Sequence, residues 1–167
     1  LYGYFGAFDG WLNLNGRGDD IFTITNEEPG MWAIANFQSS PTTGNDPYGA
    51  LFTGVQRANV VLRYIDNVPA TGITEEDRSM IKGEALFLSG YQYFLLVNNY
   101  KEVPLRIIPS NEDEPNKPAA SEAVLWKQAE DDLTEAIKCN LPDTRVADEK
   151  GRIEKGAAIA MLGKVYL

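Results

Sequence analysis

The chain has 167 residues, of which 24 are acidic and 15 are basic, and its formal net charge is −9. Proteins that bind nucleic acid need a basic surface to neutralise phosphates, so this charge excludes nucleic acid as a partner. The sequence contains no histidine and only one cysteine. It therefore lacks the usual general base near neutral pH and the commonest metal ligand, and we predict a binding protein rather than an enzyme, with no cofactor and no metal.

The first 47 residues form a leader whose composition differs from the rest of the chain. They are rich in aromatic residues and glycine, and turn-forming residues dominate from residue 13 onward. We expect mostly irregular structure here, with a short helix over 2–11 and a strand over 21–25.

The leader also carries the candidate ligand-binding residues. Flat aromatic rings stack on the C–H faces of sugar rings, while Asn and Asp side chains hydrogen-bond to hydroxyl groups in a largely preformed site. The candidate site residues are Trp32, Trp11, Phe37, Asn36, Asp20 and Asn45. The alternative for Trp11 and Trp32 is that they fill the hydrophobic core, as most tryptophans do.

From residue 48 the hydrophobic pattern takes a helical period. It predicts a first helix over 48–68, in which Asn59 lies in the apolar stripe and needs a hydrogen-bond partner. Thr74 is the predicted N-cap of a second, largely apolar helix that continues to about Tyr100. Val103–Pro104–Leu105 are predicted to end it, because proline cannot donate into a helix.

Two further helices follow an acidic connector over 111–118. Ser121 is the predicted N-cap of the third helix. Its apolar stripe consists of Leu125, Ala129, Leu133, Ala136 and Ile137. A solvated turn over 142–151 is predicted next, and a fourth helix from about Lys155.

Several residues that could suggest chemistry are interpreted as structural. We expect Cys139 and Trp126 to pack against the helices. A glycosidase needs two carboxyl groups facing each other across a sugar. Of the acidic pairs, Glu75–Glu76 opens a helix, Glu112–Asp113 is expected to lie in a solvated connector, and Asp131–Asp132 straddles a helix face.

The second and fourth helices share a pattern. Gly83, Ala85, Leu88, Gly90 and Tyr93 align with Gly156, Ala158, Met161, Gly163 and Tyr166. The two glycines of each helix are seven residues apart, so they share one face and allow another helix to approach closely. A Gly–x–x–Tyr pair on the first helix of a hairpin is typical of tetratricopeptide repeats.

These patterns predict a mainly α fold of tetratricopeptide-like stacked helical hairpins, preceded by the irregular leader. We expect residues 1–167 to form a single partial domain, with the leader at 1–47 and the helical scaffold at 48–167. The last residue falls within a helical pattern that has no stop signal, and the first lies in sequence unlike a signal peptide. The expectation is that the chain is a fragment of a longer protein.

Four segments together resemble the SusD/RagB family of nutrient-binding proteins. They occur in the family's order and are GEALFLSGYQYFLLVNNY (83–100) with Val103–Pro104–Leu105, the preceding Arg57–Ala58–Asn59, Asp132 to Ala136 before Leu141–Pro142, and GRIEKGAAIAMLGKVYL (151–167). The resemblance covers about 48–167.

The resemblance implies a location and a function. Such proteins are lipid-anchored at the cell surface, on the outer membrane of Bacteroidetes-type bacteria, through a cysteine that would lie upstream of this chain. They cover a TonB-dependent (SusC-like) transporter and bind oligosaccharides, or occasionally peptides, without cleaving them. Much of the ligand site lies in a C-terminal part that this chain lacks.

Two functions are therefore expected. The first is oligosaccharide binding in nutrient uptake together with the transporter. The second is a tetratricopeptide-like scaffold that binds a peptide or a helix of a partner protein. The aromatic leader favours the first, because a repeat scaffold alone does not need it.

Overall fold

The computed structural model describes residues 48–167, and the helix expected at 2–11 and the strand at 21–25 lie outside them. The four described helices are α1 (Tyr48–Tyr64), α2 (Glu75–Tyr100), α3 (Glu122–Lys138) and α4 (Lys155–Val165). Two 3-10 helices (Ile65–Asn67 and Ala147–Glu149) and two short strands, β1 (Val103–Pro104) and β2 (Ala119–Ala120), complete the described elements. The mainly α class predicted from the sequence is confirmed. No described helix combines the length and the apolarity needed to cross a membrane.

Helix α1 buries one face and fixes the chain that follows β1. Its buried residues Leu51, Val55 and Ala58 recur every three or four positions, as an amphipathic helix requires. Asn59 lies on the same face, and its Nδ2 donates to the carbonyl oxygens of Arg106 at 3.0 Å and Ile108 at 3.2 Å. The prediction that this buried amide finds a partner is confirmed.

The two predicted N-caps differ in the structure. Thr74 caps α2 as expected, since its Oγ1 accepts from the Asp77 N–H at 3.0 Å. Ser121 occupies the N-cap position of α3, but its side chain makes no capping hydrogen bond. Its backbone carbonyl accepts from the N–H groups of Val124 and Leu125 instead, so the prediction of a side-chain cap was wrong here.

Helix α2 ends at Tyr100, as the sequence predicted. Lys101 has a φ of 65°, and its N–H donates to the Val97 carbonyl at 3.0 Å. The positive φ of Lys101 turns the chain out of the helix, so the helix does not extend to Pro104. Pro104 instead lies in β1, opposite Ala119 of β2, and this pair of strands closes the connector between α2 and α3.

Helices α2 and α3 pack closely and antiparallel, because glycines leave no side chain between them. A Cβ added at Gly83 would lie 2.8 Å from the Cβ of Cys139, and one at Gly90 would lie 2.9 Å from Leu133 Cγ. Higher numbers on α2 therefore face lower numbers on α3. Cys139 packs against α2, as predicted.

Helix α4 returns along α3 and completes a second antiparallel hairpin. The Lys155 N–H donates to the Pro142 carbonyl at 2.9 Å, and the Tyr166 hydroxyl at the other end donates to Glu130 at 2.7 Å. The core between the helices contains Phe87, Leu88, Leu133, Ala136, Leu141, Ile153, Ala158 and Met161. Two successive antiparallel hairpins confirm the predicted tetratricopeptide-like arrangement.

The pattern shared by α2 and α4 extends to their core-facing residues. Ala158 is fully buried and Met161 is 7% exposed, as their counterparts on α2 are buried. In the described part of the chain, however, nothing lies within 4 Å of a Cβ added at Gly156 or Gly163, and Tyr166 is 65% exposed. The close helix contact that the glycine pattern predicts is thus present at α2 and not at α4 within residues 48–167.

Candidate functional site

The six candidate ligand-binding residues all lie in the leader. Trp32, Trp11, Phe37, Asn36, Asp20 and Asn45 fall outside the described residues, so their grouping into one site stays a prediction. The structure shows which contacts hold the helical scaffold of residues 48–167 together. It also shows which polar side chains of the scaffold are already bound to other groups of the same chain.

Residues 105–118 join β1 to β2 and include the acidic segment 111–118; from here on this whole stretch is called the connector. One arginine holds it together. Arg106 donates from Nη1 to Asp113 Oδ2 at 3.1 Å and from Nη2 to the Pro115 carbonyl at 2.9 Å. Asp113 also accepts from Lys117 Nζ at 3.2 Å, and its side chain is only 4% exposed. The expectation of a solvated Glu112–Asp113 pair is therefore wrong for Asp113, whose side chain is buried and paired with Arg106 and Lys117.

Electrostatics keep Asp113 charged and hold the connector to the helices. Burial opposes ionisation of Asp113, but hydrogen bonds from Lys117 and the Glu114 N–H, with the charges of Lys117 and Arg106, outweigh it and lower the pKa of Asp113. The Tyr93 hydroxyl donates to the Arg106 carbonyl at 2.7 Å and accepts from the Arg106 N–H at 2.8 Å. Burial raises the pKa of Tyr93, so this phenol stays neutral and fixes the connector backbone to α2.

Exposed residues of the connector form hydrogen bonds and an ion pair with α1. Glu112 accepts from Arg63 Nε at 3.0 Å and from the Tyr64 hydroxyl at 2.7 Å. The Ser110 N–H donates to Gln56 Oε1 at 2.7 Å. These three contacts satisfy exposed polar groups locally, so the C-terminal half of α1 is bound to the connector.

A buried ion-pair cluster of Glu84, Arg145, Glu149 and Arg152 joins α2 to the segment before α4. Arg145 pairs with Glu84, and the side chains of these two residues are 1% and 4% exposed. Arg152 donates to both carboxylate oxygens of Glu84 at 3.0 Å and pairs with Glu149 as well.

Arg145 is fully used inside the protein. Its three nitrogens donate to Glu84, Glu149, the Ile153 carbonyl and the Met80 sulfur. A guanidinium group with all its N–H groups engaged holds a segment in place and is not available to a ligand. The expectation of a solvated turn over 142–151 is wrong at this residue, because Arg145 points into the core to meet Glu84.

The pair Asp131–Asp132 divides between solvent and interior. Asp131 is exposed and pairs with Lys127, whereas Asp132 is 7% exposed and accepts from Gln128 Nε2 at 2.8 Å. Burial raises the pKa of Asp132 to about 6, against the lowering effect of the neighbouring Ser89 and Gln128 side chains. A raised carboxyl pKa is typical of glycosidase acids, but this group lies in the α2–α3 interface, where a sugar cannot reach it.

Trp126 serves packing, as its place beside the apolar stripe of α3 predicts. Its ring meets Phe94 of α2 edge-on, with centroids 5.8 Å apart and planes at 71°. Its Nε1 donates to Glu122 Oε1 at 3.2 Å, and Glu122 also pairs with Lys101. The C-terminal end of α2 and the N-terminal end of α3 are therefore joined by an aromatic contact and an ion pair.

Sequence reasoning missed the ion-pair cluster, although one of its members gave a signal. Glu84 is the only carboxylate between Asp77 and Tyr100, in the mostly apolar part of α2. An acidic residue in a buried helix is almost always paired. No comparable signal identifies Arg145, which is surrounded by polar and turn-forming residues.

Comparison with known families gives a match over most of the chain. Residues 19–167 match the SusD-like family that is described as starch-binding and associating with the outer membrane. A search of curated proteins found no match.

Solved structures of similar fold support the same assignment. A laminarin-binding SusD-like protein is 33% identical with a TM-score of 0.82, and the alignment covers 93% of this chain and 34% of that one. A SusD superfamily protein from Bacteroides vulgatus is 28% identical with a TM-score of 0.78, covering 98% and 35%. A SusD-like protein from Bacteroides fragilis is 25% identical with a TM-score of 0.75, covering 99% and 32%. The chain thus spans about a third of the length of these relatives, and it belongs to the SusD-like family.

Proposed function

We propose that this chain is part of a non-catalytic protein that captures oligosaccharides at the cell surface. The observation that carries the proposal is the family match over residues 19–167, because that family is described as starch-binding. The 33% identical laminarin-binding structure supports the same ligand class. The candidate site residues Trp32, Trp11, Phe37, Asn36, Asp20 and Asn45 supply the aromatic and polar groups that sugar recognition needs.

The proposed partner is a TonB-dependent, SusC-like transporter in the outer membrane, with the protein lipid-anchored on the outer surface. The family's description as associating with the outer membrane supports this location. Cys139 is not the proposed anchor, since it lies at the C-terminal end of α3 against Gly83, and burial raises the pKa of its thiol.

The scaffold gives this proposal a physical basis. The leader continues directly into α1, and α1 is fixed through Asn59, Gln56 and Tyr64 to the connector. Binding is weakened when a protein must order flexible groups at the moment of contact, so a rigid support for loops favours affinity. The polar contacts that hold α1 to the connector therefore support a protein whose ligand-binding residues lie on attached segments.

Alanine substitution of the leader tryptophans tests the site. We expect Trp32→Ala to weaken binding of laminarin oligosaccharides by about 1–3 kcal/mol, or about 5- to 150-fold in Kd, because a stacking ring is lost. Trp11→Ala should weaken binding in the same direction. Titration calorimetry measures the affinities, and circular dichroism confirms that each variant keeps its helical signal.

Trp126→Ala is the matched control, because this tryptophan packs against Phe94 within the scaffold. It should lower the free energy of unfolding by about 1–3 kcal/mol and leave the glycan Kd unchanged. If Trp32→Ala and Trp11→Ala both fold and bind as tightly as the wild type, the leader tryptophans are core residues and the proposed site is wrong.

A further inference from the structure

A buried carboxyl group lies in the contact between α2 and α3 without a cation beside it. Asp132 is 7% exposed and sits next to Gly90, where an added Cβ would lie 3.2 Å from Asp132 Cβ. Its Oδ1 accepts from Gln128, whereas Oδ2 is buried and has no hydrogen-bond partner among the described residues.

The charged groups around this carboxyl disfavour its ionised form. From α3, Asp131 contributes a like charge, and it is itself paired with Lys127. From α2, Asp132 faces Ser89 and the buried phenol of Tyr93. No lysine or arginine among residues 48–167 forms an ion pair with Asp132.

The chemistry of the two protonation states therefore differs at this interface. An ionised Asp132 places an uncompensated charge and an orphaned acceptor between two tightly packed helices, which is costly in a poorly solvated interior. A neutral Asp132 removes the charge, and its protonated oxygen can donate a hydrogen bond instead of only accepting one.

We propose that Asp132 is a proton-dependent clamp between α2 and α3, which tightens their contact when it is neutral and loosens it when it ionises. The inference concerns the scaffold and does not depend on the proposed ligand. It makes the α2–α3 hairpin more stable under mildly acidic conditions than near neutrality.

The sign and the pH window follow from proton linkage. Burial raises the Asp132 pKa from its usual value of 3.8 to about 6, so the folded state binds the proton more tightly than the unfolded state. The stabilisation that the proton on Asp132 contributes to the folded state is fully present below about pH 4. It is lost as the pH rises to about 6. Over that window it should lower the folding equilibrium constant by up to about tenfold per pH unit, or about a hundredfold in all.

The test compares Asp132→Asn with the wild type in denaturant unfolding between pH 4 and pH 8. Asparagine keeps the shape and can still accept from Gln128, but it cannot ionise. The ratio of the variant's folding constant to that of the wild type should rise about a hundredfold from pH 4 to pH 7. For Asp131→Asn, at the exposed neighbouring position, the same ratio to the wild-type folding constant should change by less than about fivefold from pH 4 to pH 7. A ratio for Asp132→Asn that stays constant across the range overturns the proposal.

A second measurement needs no variant to fold. Carbon NMR of the wild-type protein follows the Asp132 carboxyl directly, and its midpoint should lie near 6. A midpoint at or below about 4, the usual range for aspartate, would show that the clamp does not exist.

Discussion

Replacing Arg145 with alanine should lower the free energy of unfolding by about 3–5 kcal/mol, the largest effect we expect from a single change in the scaffold. Arg145 and Glu84 are almost completely buried, so removing the guanidinium leaves a carboxylate in the interior with only Arg152 beside it. The Ile153 carbonyl loses both of its contacts with Arg145 at the same time. Because small domains have a total stability of about 5–15 kcal/mol, this loss is a large part of the whole.

Denaturant unfolding monitored by circular dichroism measures the effect, with two variants for comparison. Arg152→Ala removes a partner whose side chain is 30% exposed, and its cost should be smaller, about 1–2 kcal/mol. Lys127→Ala breaks an exposed pair with Asp131 and should cost less than about 1 kcal/mol. An Arg145→Ala variant within about 1 kcal/mol of the wild type would contradict the assignment of a stabilising buried cluster.

The second large effect is expected at the glycine contact between α2 and α3. Gly90→Leu should destabilise the protein by up to about 3 kcal/mol, because even its Cβ would lie 2.9 Å from Leu133 Cγ and 3.1 Å from the Ala129 carbonyl oxygen. A side chain can rotate away, but a backbone oxygen within a helix moves only if the helix moves. The gain in helix propensity over glycine, about 1 kcal/mol at most, does not offset this collision.

Gly163→Leu provides a matched control on α4, in the position that corresponds to Gly90. Within the described residues, nothing lies within 4 Å of a Cβ at Gly163. The substitution should therefore leave the stability of this chain unchanged or raise it by up to about 1 kcal/mol through helix propensity. Equal losses for the two variants would mean that both glycine faces are packed, whereas no loss at Gly90 would mean that α2 and α3 are not in close contact there.

The sequence predicted those parts of the fold that depend on local periodicity. The apolar stripes of α1 and α3 and the capping residue Thr74 gave the helices and several of their ends, because each is decided by residues three or four positions apart. Close packing at Gly83 and Gly90 was also predictable, since glycines seven residues apart share one helix face.

The parts that could not be predicted depend on tertiary contacts or on rare backbone conformations, which no hydrophobic period or capping motif indicates. Glu84 and Arg145 are separated by 61 residues, and nothing local to Arg145 distinguishes it from a solvated arginine in a turn. The Asp113 side chain is covered because the connector folds so that Arg106 and Lys117 both pair with it. The end of α2 at Tyr100 was predicted, but the positive φ of Lys101 directly after it was not, because lysine adopts this conformation rarely.

The arrangement of the candidate site residues could not be predicted from the sequence either. The aromatic and polar residues of the leader indicate a ligand class by their chemistry, but irregular segments carry no periodicity from which their arrangement could be derived. The choice between stacking and core packing for Trp32 thus requires a binding measurement.

Titration of the 167-residue chain with laminarin and starch oligosaccharides tests the central claim most directly. The same mixtures are assayed for newly released reducing ends, and EDTA is present throughout. We predict saturable binding to at least one glycan with no increase in reducing ends. Released reducing ends would contradict a non-catalytic role. Saturable binding of helical peptides with no glycan binding at all would favour the peptide-binding scaffold and contradict the proposed glycan site in this chain.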